Sequence, residues 1–140
     1  MSNTDLTLLS SAMDRLVPTV DDLPGAGAMG LAPDVDALAQ QHGPYGRALE
    51  VFLGKLRAKW SAGLSAAQQD AVLRDLESAD GATFNAVLEL VYLAYYGDVR
   101  VHRRVGWQGG PLQPRGFPLA PFSPEILQTT RKRQPFWRQT

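Results

Sequence analysis

The chain offers few residues suited to chemistry. It has two histidines, His42 and His102, 60 residues apart. Neither has a second ligand at helical spacing, so a histidine-based metal site is not expected. His42 falls at a predicted helix end, where an imidazole commonly interacts with the last carbonyls. His102 lies between Val101 and Arg103 in a basic loop. It reads as a solvated or partner-facing ring, because a general base needs a positioned neighbour. The carboxylates Asp21-Asp22, Asp34/Asp36 and Asp70/Glu77 form no recognisable acid/base pair. Asp34 and Asp36 suit the first turn of a helix, where acids complement its dipole. No P-loop or G-x-S-x-G pattern occurs. The glycine-rich "PGAGAMG" (24–30) has no strand before it and reads as a flexible loop rather than a phosphate cradle.

Composition narrows the field further. The chain has 140 residues and no cysteine, which excludes disulfides, thiolate ligands and thiol catalysis. Its length suits one domain with a real core. No apolar run approaches the roughly 20 residues of a membrane-spanning helix. No basic residue precedes Arg15, so the start lacks the pattern of a secretory or twin-arginine leader, and a cytoplasmic protein is expected. The zero net charge hides an asymmetry. Residues 1–99 hold 6 Lys/Arg against 13 Asp/Glu, net −7, while 100–140 hold 8 against 1, net +7. An acidic body with a basic arm follows.

Hydrophobic spacing predicts helices for the body. Leu6, Leu9, Met13 and Leu16 repeat at helical intervals over about 4–17, before Pro18. A short helix opens at Pro33 and ends at His42-Gly43. The next opens at Pro44, carries Tyr45, Leu49, Phe52, Leu53, Leu56 and Trp60 on one stripe, and stops at Gly63. Ser65 and Gln68 form a capping box for a fourth, with Val72, Leu73 and Leu76 inward. A fifth covers 82–96, with Phe84, Val87, Leu88, Val91, Tyr92 and Tyr95 as its buried stripe. Leu93, Ala94 and Tyr96 widen its apolar surface near the C-terminal end, which calls for a cover.

After Gly97 the periodicity stops and Gly/Pro breaks crowd in, with a short helical turn expected only at 123–127. This stretch also holds Trp107, Phe117, Phe122, Phe136 and Trp137. Disordered tails are poor in aromatics, so an extended arm lying in a groove is expected. "VHRRV" and "TRKRQPFWRQT" place Arg and Lys beside aromatics and could serve phosphates and bases. The acidic body and the lack of a reader motif count against that use, and no nucleic-acid partner is expected.

The order of short motifs resembles a known family. A helix ending in two aromatics is followed by small-Asp, a basic loop, Gly-Trp and Pro-x-Gly-aromatic. Here these are Tyr95-Tyr96-Gly97-Asp98, Gly106-Trp107 and Pro114-Arg115-Gly116-Phe117. Together with "AMDRLVPTVDDLPGAGAMG" and "LSAAQQDAVLRDLE", they resemble the gluconate 2-dehydrogenase subunit 3 family over about residues 11–118. The chain departs from the family in lacking a twin-arginine signal and in carrying "VRVHRR" where the family often has Asp-Pro. The resemblance implies a helical subunit with no cofactor of its own. It would bind a large flavoprotein catalytic subunit of the glucose–methanol–choline (GMC) type, which holds FAD and a sugar, sugar acid or glycoside.

The expected architecture is therefore all-α: a small bundle of four to five helices over 1–98 and a long irregular basic, aromatic-rich arm over 99–140. The expected role is that of a non-catalytic accessory subunit in a hetero-oligomer, without membrane insertion. Partner contacts are expected at Tyr96, Asp98, Arg100, Arg103, Arg104, Trp107, Phe117, Phe122 and Trp137. A stand-alone interaction module is the alternative.

Overall fold

In the computed structural model, residues 1–61, 63–107, 109–110, 116 and 122–132 are described. The chain is all-α, and no strand occurs among these residues. It divides into two units, Met1–Gln108 and Gly109–Thr140.

The first unit contains α1 (Asn3–Leu16), α2 (Ala32–Gln41), α3 (Gly43–Lys59), α4 (Ala66–Ala79), α5 (Gly81–Gly97) and α6 (Val99–Arg104). Local signals explain most of the boundaries. Ser2 and Asp5 form a capping box at α1, which starts the helix earlier than its apolar spacing alone suggests. Pro33 and Pro44 sit in the first turns of α2 and α3, where a missing N–H costs nothing. Ser65 and Gln68 cap α4 reciprocally, as expected. Asp80 opens α5 by accepting from the Thr83 N–H at 3.1 Å. Trp60 stands just past the end of α3 rather than on its stripe, and its indole N–H donates to Ser11 Oγ on α1 at 3.2 Å.

α3 and α5 form the central pair, with α1, α2 and α4 packed around them. Phe52 and Phe84 meet edge to face across that pair, ring centroids 6.2 Å apart. Leu9, Met13, Val35, Leu56, Val87, Leu90 and Val91 complete the fully buried layer. Ion pairs tie the helices at the rim: Arg15 to Asp70 joins α1 to α4, Arg57 to Asp5 joins α3 to α1, and Lys55 to Asp80 joins α3 to the start of α5.

Two regions differ from the reading of the sequence. The connection 17–31 is a packed segment rather than a flexible loop. Ala26, Met29 and Leu31 are buried, and the Asp14 carboxylate accepts from the Ala28 N–H at 2.8 Å. Gly27 lies so close to α1 that a β-carbon there would stand 1.9 Å from the Ser10 carbonyl oxygen. Glycine is needed here for close approach, not for mobility. The second difference is α6. The compact unit runs to Gln108 rather than 98, because Val101 is buried against the body and carries the basic segment with it.

In the second unit, a 3-10 turn at Pro124–Ile126 leads into α7 (Leu127–Arg131), matching the short helical turn expected there.

Candidate functional site

An apolar concavity of the first unit lies where α5 ends and α6 turns back. It is a groove of about 610 Å³ lined by Glu89, Tyr92, Leu93, Tyr96, Val101, His102, Val105 and Trp107. α5 is apolar nearly all round at this end. One face buries Val87, Val91, Ala94 and Tyr95; the other leaves Tyr92, Leu93 and Tyr96 exposed. Tyr92 was expected in the buried stripe. It sits one residue past Val91, a turn of about 100° around the helix, which carries it onto the outer face. Tyr96 is 59% exposed, Val105 64% and Trp107 40%. Tyr96 also packs edge to face on Tyr95, which fixes its direction.

The wall opposite α5 is built by the way α6 stops. Gly106 adopts φ +72°, the left-handed conformation that glycine tolerates. Its N–H donates to the Arg103 carbonyl at 3.2 Å, and the Trp107 N–H donates to the His102 carbonyl at 2.9 Å. This is a Schellman motif, in which the residue two past the helix cap meets a side chain in its last turn. Here that contact is Trp107 against His102, ring centroids 4.2 Å apart and nearly perpendicular. His102 Nε2 in turn donates to the Tyr96 carbonyl at 2.5 Å, near the end of α5. The imidazole thus caps one helix and supports the indole that walls the groove.

The arginines expected to face a partner divide into two kinds. Arg100 makes a paired contact with Asp98, Nε to Oδ1 at 2.8 Å and Nη2 to Oδ2 at 2.7 Å, and donates to the Met29 carbonyl at 3.0 Å. Asp98 also caps α6 through the Arg100 N–H, and its carboxyl is held below the ordinary range, mainly by the Arg100 hydrogen bonds. Arg104 pairs with Asp21 and, at 3.5 Å, with Asp22. Asp21 sits at φ +52° in the tight turn that pairs Val20 with Leu23. Two of the three arginines therefore fasten α6 to the α1–α2 connection. Arg103 is exposed and has no ion pair among the described residues.

Of the expected contact residues, Tyr96 and Trp107 are brought together in the groove. Asp98, Arg100 and Arg104 are drawn into the chain's own packing. Phe122 lies in the second unit and is exposed. Phe117 and Trp137 lie outside the described residues. The reading of the sequence missed Tyr92 and Val105 as groove residues. It also missed the structural role of His102, for which the signal was present: Arg104-Val105-Gly106-Trp107 is a helix stop with glycine in the Schellman position.

The arrangement offers an exposed apolar surface. Among the described residues, no group of three or more His, Asp or Glu could hold a metal ion. No buried side-chain polar atom among them lacks a partner. His42 is exposed and packs edge-on to Tyr45. No helix among the described residues is long and apolar enough to cross a membrane. Aromatic edges flanked by aliphatic side chains are what a protein partner would bury. Comparison with protein-family models, curated proteins and solved structures finds no match to this chain.

Proposed function

We propose that this chain is a non-catalytic accessory subunit. It binds and stabilises a large FAD-dependent oxidoreductase of the GMC type that acts on a sugar, sugar acid or glycoside. The observation that carries the reading is the meeting of Tyr96 and Trp107. These come from two separate motifs of the resemblance, and they line one exposed apolar groove. Monomeric proteins rarely leave a contiguous apolar patch uncovered without a use for it. In this reading the flavin and the substrate belong to the large subunit, and this chain contributes only burial and shape.

The test is co-expression with a candidate large flavoprotein, followed by co-purification and an absorbance spectrum. A yellow complex that is lost with Tyr96→Ala and Trp107→Ala supports the reading. A colourless protein that retains no larger chain would sink it. A stand-alone interaction module is the second reading. It is favoured by the engagement of Arg100 and Arg104 with the chain's own Asp98, Asp21 and Asp22.

A further inference from the structure

One wall of the groove is Val101, His102, Val105 and Trp107, all supplied by α6 and its stop; the other is Tyr92, Leu93 and Tyr96 of α5. The groove therefore exists only while α6 lies against the body. Little apolar contact keeps it there. α6 has six residues, and a helix shorter than about 12 residues is marginal by itself in water. Val101 is its one buried residue, whereas Val99 and Val105 are exposed. The other ties are polar. Arg100 Nη2 donates to the Met29 carbonyl at 3.0 Å, His102 Nε2 donates to the Tyr96 carbonyl at 2.5 Å, and Arg104 pairs with Asp21 and Asp22. The side chains of Arg104, Asp21 and Asp22 are 48%, 67% and 83% exposed, so water and salt reach this clamp directly.

We propose that α6 is a detachable strap, fastened by the Arg104–Asp21/Asp22 clamp, whose seating makes and whose release dismantles the apolar groove. Segments with few buried contacts open locally, well below the free energy of global unfolding. α3 and α5 stay closed during such an opening, because Phe52, Leu56, Val87, Leu90 and Val91 hold them from within. The strap places the control of an apolar surface in a charged one, on the connection between α1 and α2. Screening the clamp loosens the groove although the groove itself is apolar. By linkage, whatever fills the groove and the clamp that fastens α6 strengthen each other. The proposal does not rest on the accessory-subunit reading, since it concerns the chain alone.

The test is hydrogen exchange of the full chain, read segment by segment at about 0.01 M and about 1 M salt, where charges are screened beyond roughly 30 Å and 3 Å. Exchange across Val99–Trp107 should rise about three- to tenfold at high salt, the scale of one or two exposed ion pairs, while α3 and α5 hold steady. The emission of Trp107, read against a Trp107→Phe control, should shift in parallel. Asp21→Asn with Asp22→Asn should raise exchange in the same segment at low salt and remove most of its salt response. Asn suits position 21 because it tolerates the left-handed backbone found there. Arg104→Gln should do the same alone and add almost nothing to the two Asn changes, since all three substitutions break one clamp. Asp75→Asn, which removes the exposed acid facing Lys59 between α4 and α3, should leave α6 unaffected. Exchange in α6 that ignores salt, that rises only in step with α3 and α5, or that sums the Arg104 and Asn effects in full would overturn the proposal. None of these results bears on whether a yellow complex forms with a flavoprotein.

Discussion

Trp107 and His102 are the two side chains of one helix-stop motif, and their perpendicular contact at 4.2 Å sets the wall of the apolar groove. The indole is placed by backbone geometry first, through the Trp107 N–H to the His102 carbonyl and the positive φ of Gly106. Gly106→Ala should therefore cost about 1 kcal/mol, the penalty for a β-carbon in the left-handed region. It should also shift the emission of Trp107, read as the difference from a Trp107→Phe control. An unchanged spectrum would mean that the motif does not position the indole.

His102 is tied to α5 by its hydrogen bond to the Tyr96 carbonyl. His102→Ala should lower stability by about 1 kcal/mol, the net worth of one such bond. His102→Gln, which can still donate, should recover part of it. Chemical denaturation of the three proteins checks this, and identical midpoints for all three would refute it.

Gly27 and Gly54 should respond to alanine in opposite ways. A β-carbon at Gly27 would collide with the Ser10 carbonyl, whereas at Gly54, on the exposed side of α3, it meets nothing within 4 Å. Gly27→Ala should destabilise by at least 1–3 kcal/mol, as overpacking typically does. Gly54→Ala should stabilise by roughly 0.5–1 kcal/mol through helix propensity. Thermal melts of both variants decide the matter.

Asp80 caps α5 and pairs with Lys55, and its carboxyl is lowered from 3.8 to about 2, chiefly by the Lys55 hydrogen bond and then by Thr83. A carboxyl held lower in the folded state than in the unfolded one stabilises the fold above the unfolded value. That contribution is lost as pH falls through the folded value. The urea midpoint should therefore fall between about pH 4 and pH 2. Asn also caps helices well, so Asp80→Asn should flatten the fall across this window while lowering the midpoint at neutral pH. An equally steep profile in the variant would assign the acid sensitivity to other carboxylates.

Val101 is the apolar anchor of α6 and is 2% exposed. Val101→Ala should cost about 2 kcal/mol for two lost methyl-sized groups and the cavity they leave. It should also raise hydrogen exchange across Val99–Arg104 ahead of α3 and α5. Uniform exchange through all helices would show that α6 does not detach separately.

Much of the helical body was legible because its signals are local. The Ser65–Gln68 box, the prolines at 33 and 44, and the apolar stripe of α3 act within one turn or two. Three features were not legible, each for a physical reason. The six residues of α6 are too short to display a period, and its start lies in a Gly97-Asp98 pair that resembles a break. The glycines of 24–30 owe their role to the approach of α1, a tertiary fact invisible to local composition. The exposure of Tyr92 follows from which side of α5 faces α3, and an all-round apolar sequence does not encode that. In the candidate site, Tyr96 and Trp107 stood out as aromatics beside chain breaks. Arg100 and Arg104 looked like free cations only because their carboxylate and carbonyl partners, other than Asp98, lie far back in the sequence.

That last separation has a consequence for synthesis. Arg100 reaches the Met29 carbonyl and Arg104 reaches Asp21, so residues made near the start hold residues made more than seventy positions later. As the chain leaves the ribosome, five helices can gather while the aromatic face of α5 still has no second wall. The groove is completed only when α6 emerges and closes onto a connection that has been waiting since the first helix. A messenger truncated, or a ribosome stalled, between Gly97 and Trp107 would release a nearly whole body with its stickiest surface unfinished.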